Sequence, residues 1–142
     1  MTDSLDNAHA QAVLSLLQAN GALAGKVYDG VVPAPFPELP FVLVYTSIEW
    51  PAGDAGMGNA FDHDSVTCRA TFIVHCVAAN SEACRTVTMQ VRESLLDVAP
   101  AVTGRSCTRL TLDDAQPAVK DETTGNVVMD AVVTYSYASV PA

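Results

Sequence analysis

Asp62, His63 and Asp64 stand side by side, two carboxylates and an imidazole of the kind that hold a metal ion or move a proton. Adjacent residues on extended chain point to opposite sides, so the triplet reads as the solvated lead-in to a strand and not as a ligand set. Cys84 falls in the first turn of an expected helix, where the positive end of the helix dipole lowers a thiol pKa and makes a nucleophile of it. None of His9, His63 and His75 stands where it identifies itself as the base such a thiol needs, and a buried structural thiol is favoured. His75 and Cys76 have no Cys-x-x-Cys or His-x-x-x-His neighbour and read as mid-strand residues on opposite faces. Cys68 and Cys76 lie about 26 Å apart at roughly 3.3 Å per residue of straight strand, too far to share a zinc or a bridge. Gly53, Gly56 and Gly58 precede no Lys-Ser or Lys-Thr, which removes a phosphate-binding loop. Glu49, Asp54, Asp62 and Asp64 contain the makings of a hydrolytic carboxylate pair, but solvation of a hairpin and its glycine loop accounts for them more simply.

The elements that must position these residues follow from periodicity. Leu5, Ala8, Ala12, Val13, Leu16 and Leu17 recur at helical steps and predict a helix over 3–19, capped by Asp3 or Ser4 and ended by a left-handed residue at Asn20-Gly21. Residues 25–32 read as a short strand, and Pro33, Pro35, Pro37 and Pro40 then force an extended connector. The segment PFVLVYTSIEW predicts a strand over 41–50 buried on both faces. PAGDAGMGN is a loop suited to contacts. Residues 65–78 alternate, with Val66, Cys68, Ala70, Phe72, Val74 and Cys76 on one face, and pair with 41–50 as a hairpin. Asn80 or Ser81 opens a second helix through about Val98, with Ala83, Val87, Val91, Leu95 and Val98 in its apolar stripe and Pro100 closing it. Residues 105–112 and 127–138 predict two more strands joined by the acidic connector DDAQPAVKDETTGN, which ends in a Gly125-Asn126 turn. The expected fold is α+β in the order α-β-β-β-α-β-β: a mostly antiparallel sheet of about five strands with two main helices packed on one face, a single domain over 1–142.

Composition removes whole classes of function. A hydrophobic fraction of 49% with 16% charged residues belongs to a globular chain and not to a disordered or coiled-coil one. A net charge of −9 argues against sequence-independent binding of DNA phosphates on an outer surface. Asp3 and Asp6 stand where an export signal would carry Lys or Arg, and the longest apolar stretch, Phe41 to Tyr45, is far short of a membrane span, so a soluble chain with four free thiols is expected. The charges are also segregated. No Lys or Arg lies between Lys26 and Arg69, an interval that holds Asp29, Glu38, Glu49, Asp54, Asp62 and Asp64. From Arg69 to Arg109 five arginines outnumber Glu82, Glu93 and Asp97. A subunit with one acidic and one basic side suits head-to-tail packing of copies into a ring.

The order of elements and several phrases together resemble the tail terminator family of long-tailed bacteriophages, the tail-completion or head-tail joining proteins that cap the tail tube and meet the head connector. The phrases are the first helix ending in ALAGKVYDG, then PAPFPELPFVLVY, VTCRATFIVHCVA, NSEACRTVTMQVRESLLD, GRSCTRLTL and VVMDAVVTYSYASV, a likeness of pattern over nearly the whole chain. The resemblance implies a hexameric ring with no catalysis, metal or cofactor, made in the host cytoplasm and placed in the virion between tail and head. It implies the tail tube protein and the head-tail connector as partners, DNA passing through without specific binding, and no membrane contact. Glu49, Asp54, Asp62 and Asp64 would then line an acidic lumen, with Met57 and the glycine loop reaching the tail tube. Arg69, Arg85 and Arg92 would meet acids of the neighbouring subunit. Two alternatives stand beside it: another connector or neck protein of the same fold, and a small cytosolic enzyme using Cys84 or Asp62, His63 and Asp64.

Overall fold

A computed structural model describes residues 4–50, 67–122 and 127–142. Ser4 opens helix α1 (Leu5–Gln18), its hydroxyl accepting from the Asn7 N–H at 3.1 Å. The buried stripe is His9, Ala10, Val13, Leu14 and Leu17, so it is centred one residue later than the apolar letters suggest, and Ala8, Ala12 and Leu16 lie on its margin. The expected left-handed cap at Asn20-Gly21 is absent: Ala19 stays right-handed, and the first left-handed residue is Gly25 at φ 77°. The Asn20 side chain takes over that work. Its oxygen accepts from the Ala22 N–H, and its nitrogen donates to the Gln90 carbonyl and the Ser94 hydroxyl, which ties the end of α1 to the second helix.

Strand β1 (Val27–Asp29) pairs in parallel with β2 (Phe41–Glu49), and Gly30 at φ 74° turns the chain out into the proline-spaced connector between them. β2 and β3 (Cys68–Ala78) form the expected antiparallel hairpin, from Phe41 opposite Val77 to Glu49 opposite Arg69. Helix α2 (Ser81–Leu95) starts at Asn80, whose side-chain oxygen accepts from the Ala83 N–H. It stops before Val98, because Asp97 adopts a left-handed conformation at φ 63° and the backbones of Asp97 and Val98 both bond to Leu110.

The chain then runs back along one long strand. β4 (Arg105–Cys107), β5 (Thr111–Ala115) and β6 (Val119–Asp121) pair in succession with β7 (Val128–Pro141). The segment expected as a strand over 105–112 and an acidic connector is thus a single interrupted edge, held between its pieces by Thr108 N–H to Ala138 O and Gln116 N–H to Val132 O. Asp113, Asp114 and Pro117 hide it from a propensity reading, and an edge strand tolerates them because one side of it needs no ladder partner. Among the described residues the sheet has seven strands in the order β1-β2-β3-β7, with β4, β5 and β6 on the far edge of β7, and the α+β order of elements is the expected one.

Both helices lie on the same sheet face. Val13, Leu14 and Leu17 of α1 and Cys84, Val87, Val91 and Leu95 of α2 pack on Val42, Val44, Phe72, Val74, Val133, Tyr135 and Tyr137. Alternation along β3 sets this face: Cys68, Ala70, Phe72, Val74 and Cys76 are all at most 1% exposed. A smaller cluster on the opposite face joins Phe41, Leu43, Val77 and Val128 to Tyr28, Val32, Phe36 and Leu39. The connector therefore folds over one end of the outer face, and β2 is buried on both faces only from Phe41 to Val44.

Candidate functional site

The outer sheet face carries the exposed chemistry. Where the connector stops, a cavity of about 380 Å³ opens, walled by Val31, Phe36, Leu43 and Tyr45 and floored by His75, Asp121 and Asp130. His75 on β3 and Asp130 on β7 are diagonal neighbours on one face of the ladder, two residues from direct opposition. The His75 Nδ1 lies 2.9 Å from Asp130 Oδ2, a contact that requires Nδ1 to donate. That bond raises the imidazole above its ordinary value of 6.5; partial burial opposes the rise, and the Asp130 and Asp121 charges add to it. Tyr45 stands edge-on to the His75 ring at 5.5 Å. The second carboxylate oxygen of Asp130 is buried with no hydrogen-bond partner among the described residues. Next to the cavity, Tyr45 and Ile73 face each other across the β2–β3 ladder and are 43% and 41% exposed.

A second constellation is buried. His9 sits on the inward stripe of α1, with Nδ1 2.6 Å from the Leu5 carbonyl and Nε2 2.8 Å from the Ser139 hydroxyl. A carbonyl only accepts, so Nδ1 carries a proton, and the other nitrogen of a neutral ring accepts from Ser139. Arg105 donates through Nε to the Ser139 hydroxyl and through Nη2 to its carbonyl, while its guanidinium lies 5.5 Å over the Trp50 ring. Trp50 donates to Asp6 at 2.6 Å, Tyr137 donates to the His9 carbonyl, and the Cys68 sulfur lies 3.5 Å from His9 Nε2. A hydroxyl on an imidazole is the arrangement nucleophilic hydrolases use. Here a peptide carbonyl takes the place of the orienting carboxylate, and His9 and Ser139 are 0% and 1% exposed, out of reach of a substrate. The network fastens the start of α1 to the ends of β7, β3 and β4.

Of the residues singled out by sequence, those the structure describes are dispersed. Asp54, Met57, Asp62, His63 and Asp64 lie outside the described residues, and Glu49 is exposed at the end of β2. Arg69 is engaged within the subunit, donating to the Ser136 hydroxyl at 2.7 Å and lying 3.9 Å from Asp113. Arg85 and Arg92 are exposed on α2, and neither forms an ion pair with a described residue. Cys84 is fully buried and donates to the Cys76 carbonyl; burial pushes its thiol up, opposite to the lowering expected at a helix start. Burial takes Cys76 to about 12, and all four cysteines are free. Among the described residues no three His, Cys, Asp or Glu side chains gather as a metal site. Among the described residues no helix is long and apolar enough to cross a membrane. Sequence reading missed both His75–Asp130 and His9–Ser139. Partners 55 and 130 residues apart leave no local signal, although the four-residue steps from Leu5 through His9 and Val13 to Leu17 do place His9 on the inward stripe.

No family model and no curated protein matches the sequence. Among solved structures, a chain of the virion of a native gene transfer agent particle is similar: TM-score 0.68 at 16% identity, covering 97% of this chain and 99% of that one. At that identity the likeness establishes a shared fold over nearly the full length of both chains.

Proposed function

We propose that this protein is a structural component of a phage-like virion, and that within it the chain serves as a tail terminator. Copies form a ring, in our reading a hexamer, that caps the tail tube and joins it to the head connector. The observation that carries this reading is the end-to-end fold likeness to a virion chain. Three features support it. The net charge of −9 suits a channel that DNA must traverse without adhering, because carboxylates repel phosphates. Glu49 closes the described part of β2, and Asp54, Asp62 and Asp64 follow it in sequence before β3; these are the acids we assign to the lumen. Met57 in the same stretch is the proposed tube contact. Arg85 and Arg92, which form no ion pair with a described residue, are the proposed bonds to the next copy, with Arg69 shared between its own Asp113 and that interface.

Light scattering of the purified protein at two salt concentrations, with and without tail tubes of its own virion, tests the reading. A ring in solution, or a monomer that becomes a ring on the tube end, supports it. A monomer indifferent to tubes overturns it.

A further inference from the structure

The cavity on the outer face and the exposed stripe of α2 are complementary, and they lie on opposite sides of the subunit. α2 packs Cys84, Val87, Val91 and Leu95 on the inner sheet face, so its exposed residues look away from the sheet. Arg85, Met89 and Arg92 are spaced i, i+4 and i+7, which places them in one line on that exposed side. Met89 is 56% exposed, and the two guanidinium groups beside it have no carboxylate partner among the described residues. The cavity offers the converse: apolar walls at Val31, Phe36 and Leu43, a floor holding Asp130 and Asp121, and a buried carboxylate oxygen that nothing described satisfies. Such a pocket suits a side chain with an apolar stem and a cationic, many-donor head, the description of arginine. Beside it, exposed Tyr45 and Ile73 offer a seat for a thioether, which packs well on an aromatic ring.

The spacings agree. Four residues of helix rise about 6 Å from Arg85 to Met89, and three rise about 4.5 Å from Met89 to Arg92. Two residues of antiparallel strand advance about 6.8 Å from Ile73 to His75. A helix laid along β3 therefore brings Met89 over Tyr45 and Ile73 while one arginine reaches the carboxylates beside His75. The remaining arginine then lies toward Ser47 and Thr71, the next pair along the ladder.

We propose that the outer-face cavity is the receptor for the Arg85–Met89–Arg92 stripe of a second copy of this chain, an arginine seated against Asp130 and Asp121 and Met89 on Tyr45 and Ile73. Donor and receptor cannot meet within one subunit, so the contact is heterologous and each copy has one of each to offer. The proposal deepens the ring reading and rests on it for the requirement that copies meet.

The test uses the full chain in sedimentation velocity, or on tail tubes where the chain assembles only there. R85E/R92E disables the donor and Ile73→Lys the receptor; both alter exposed residues, and circular dichroism checks that each remains folded. Each variant alone is expected to associate about 30-fold more weakly or worse, as loss of a charge-paired contact predicts. Mixed in equal amounts, the two are expected to form a dimer that grows no further, because the mixture holds one intact pair of surfaces. Variants that assemble like the wild type, or monomeric variants whose mixture stays monomeric, overturn this contact and leave the ring reading intact. A wild-type chain that stays monomeric with and without tubes overturns both. Asp130→Asn, which keeps the shape and removes the charge, is expected to weaken assembly in the same direction; unchanged assembly in that variant overturns the arginine seat.

Discussion

The two faces of the sheet are built from the same residues in alternation and have opposite fates. Along β3, Phe72 and Val74 are completely buried under the helices, while Ile73 between them is 41% exposed. Every second side chain of a strand turns to the same face, so one register decides both outcomes at once. The inner face spends its apolar area on holding the subunit together. The outer face is covered by the proline connector at one end only, and beyond it keeps a titratable pair and exposed apolar side chains. Stability and contact are thus divided between faces, and substitutions on the two sides should separate accordingly.

The largest effect belongs to the inner face. Phe72 is fully buried and stacks on Tyr137 with ring centroids 5.8 Å apart. Phe72→Ala removes a ring from the middle of the buried cluster, and the expected loss is about 3–5 kcal/mol in urea unfolding. A loss under about 1 kcal/mol would mean the inner face collapses around the gap and does not carry the fold.

The second effect probes the polar knot at the end of that same face. Ser139 stands between His9 and Arg105, accepting from the Arg105 guanidinium and donating to the His9 ring. Ser139→Ala leaves a buried imidazole nitrogen and a guanidinium N–H without their partner, and the expected cost is about 1–3 kcal/mol. Ser139→Thr keeps the hydroxyl and should recover part of the loss. Equal stability in the alanine variant would show that the knot contributes nothing net.

How much of this contrast is legible in sequence depends on how local its causes are. The inner stripe of β3 and the hairpin with β2 follow from alternation alone, because a period of two needs no knowledge of partners. The caps at Ser4 and Asn80 are local as well, set by side chains that reach three residues ahead. The early end of α2 is not: Asp97 and Val98 are drawn off the helix by Leu110, a residue whose position depends on the sheet. The edge strands β5 and β6 carry Asp113, Asp114 and Lys120, which belong to connectors by propensity and to strands only because β7 offers a free edge. The outer-face site was least legible of all. His75 looks like any mid-strand residue until Asp130 is brought beside it, and the acids that sequence marked stand on other segments.

A third effect depends on pH and isolates the outer face. His75 has its folded pKa raised above 6.5, chiefly by its bond to Asp130, with Asp121 also facing it and the Tyr45 ring edge-on. A raised folded value means the protonated ring is stabilised in the native state. Its contribution is complete below 6.5 and is lost as pH rises through the folded value. Unfolding midpoints in urea should therefore fall as pH climbs from 6 toward 8, and Asp130→Asn should flatten that part of the profile. The slope is modest, since the His75 side chain is 27% exposed and solvent screens the pair. A profile unchanged by Asp130→Asn would assign the slope to another group.

The smallest expected effect is the most informative about the division of labour. Ile73 is apolar and central in the sheet, flanked in register by Tyr45 and Thr134, yet it faces outward. Ile73→Thr keeps the branched side chain that strands favour and removes apolar area from a partly exposed site, so the expected loss of monomer stability is small, about 0.5 kcal/mol. The same substitution weakens the seat proposed for Met89. A variant that unfolds like the wild type but assembles less tightly places the role of Ile73 between subunits. A variant that loses stability on the scale of Phe72→Ala would instead make the outer face a second core, and the contrast between the two faces would fail at its centre.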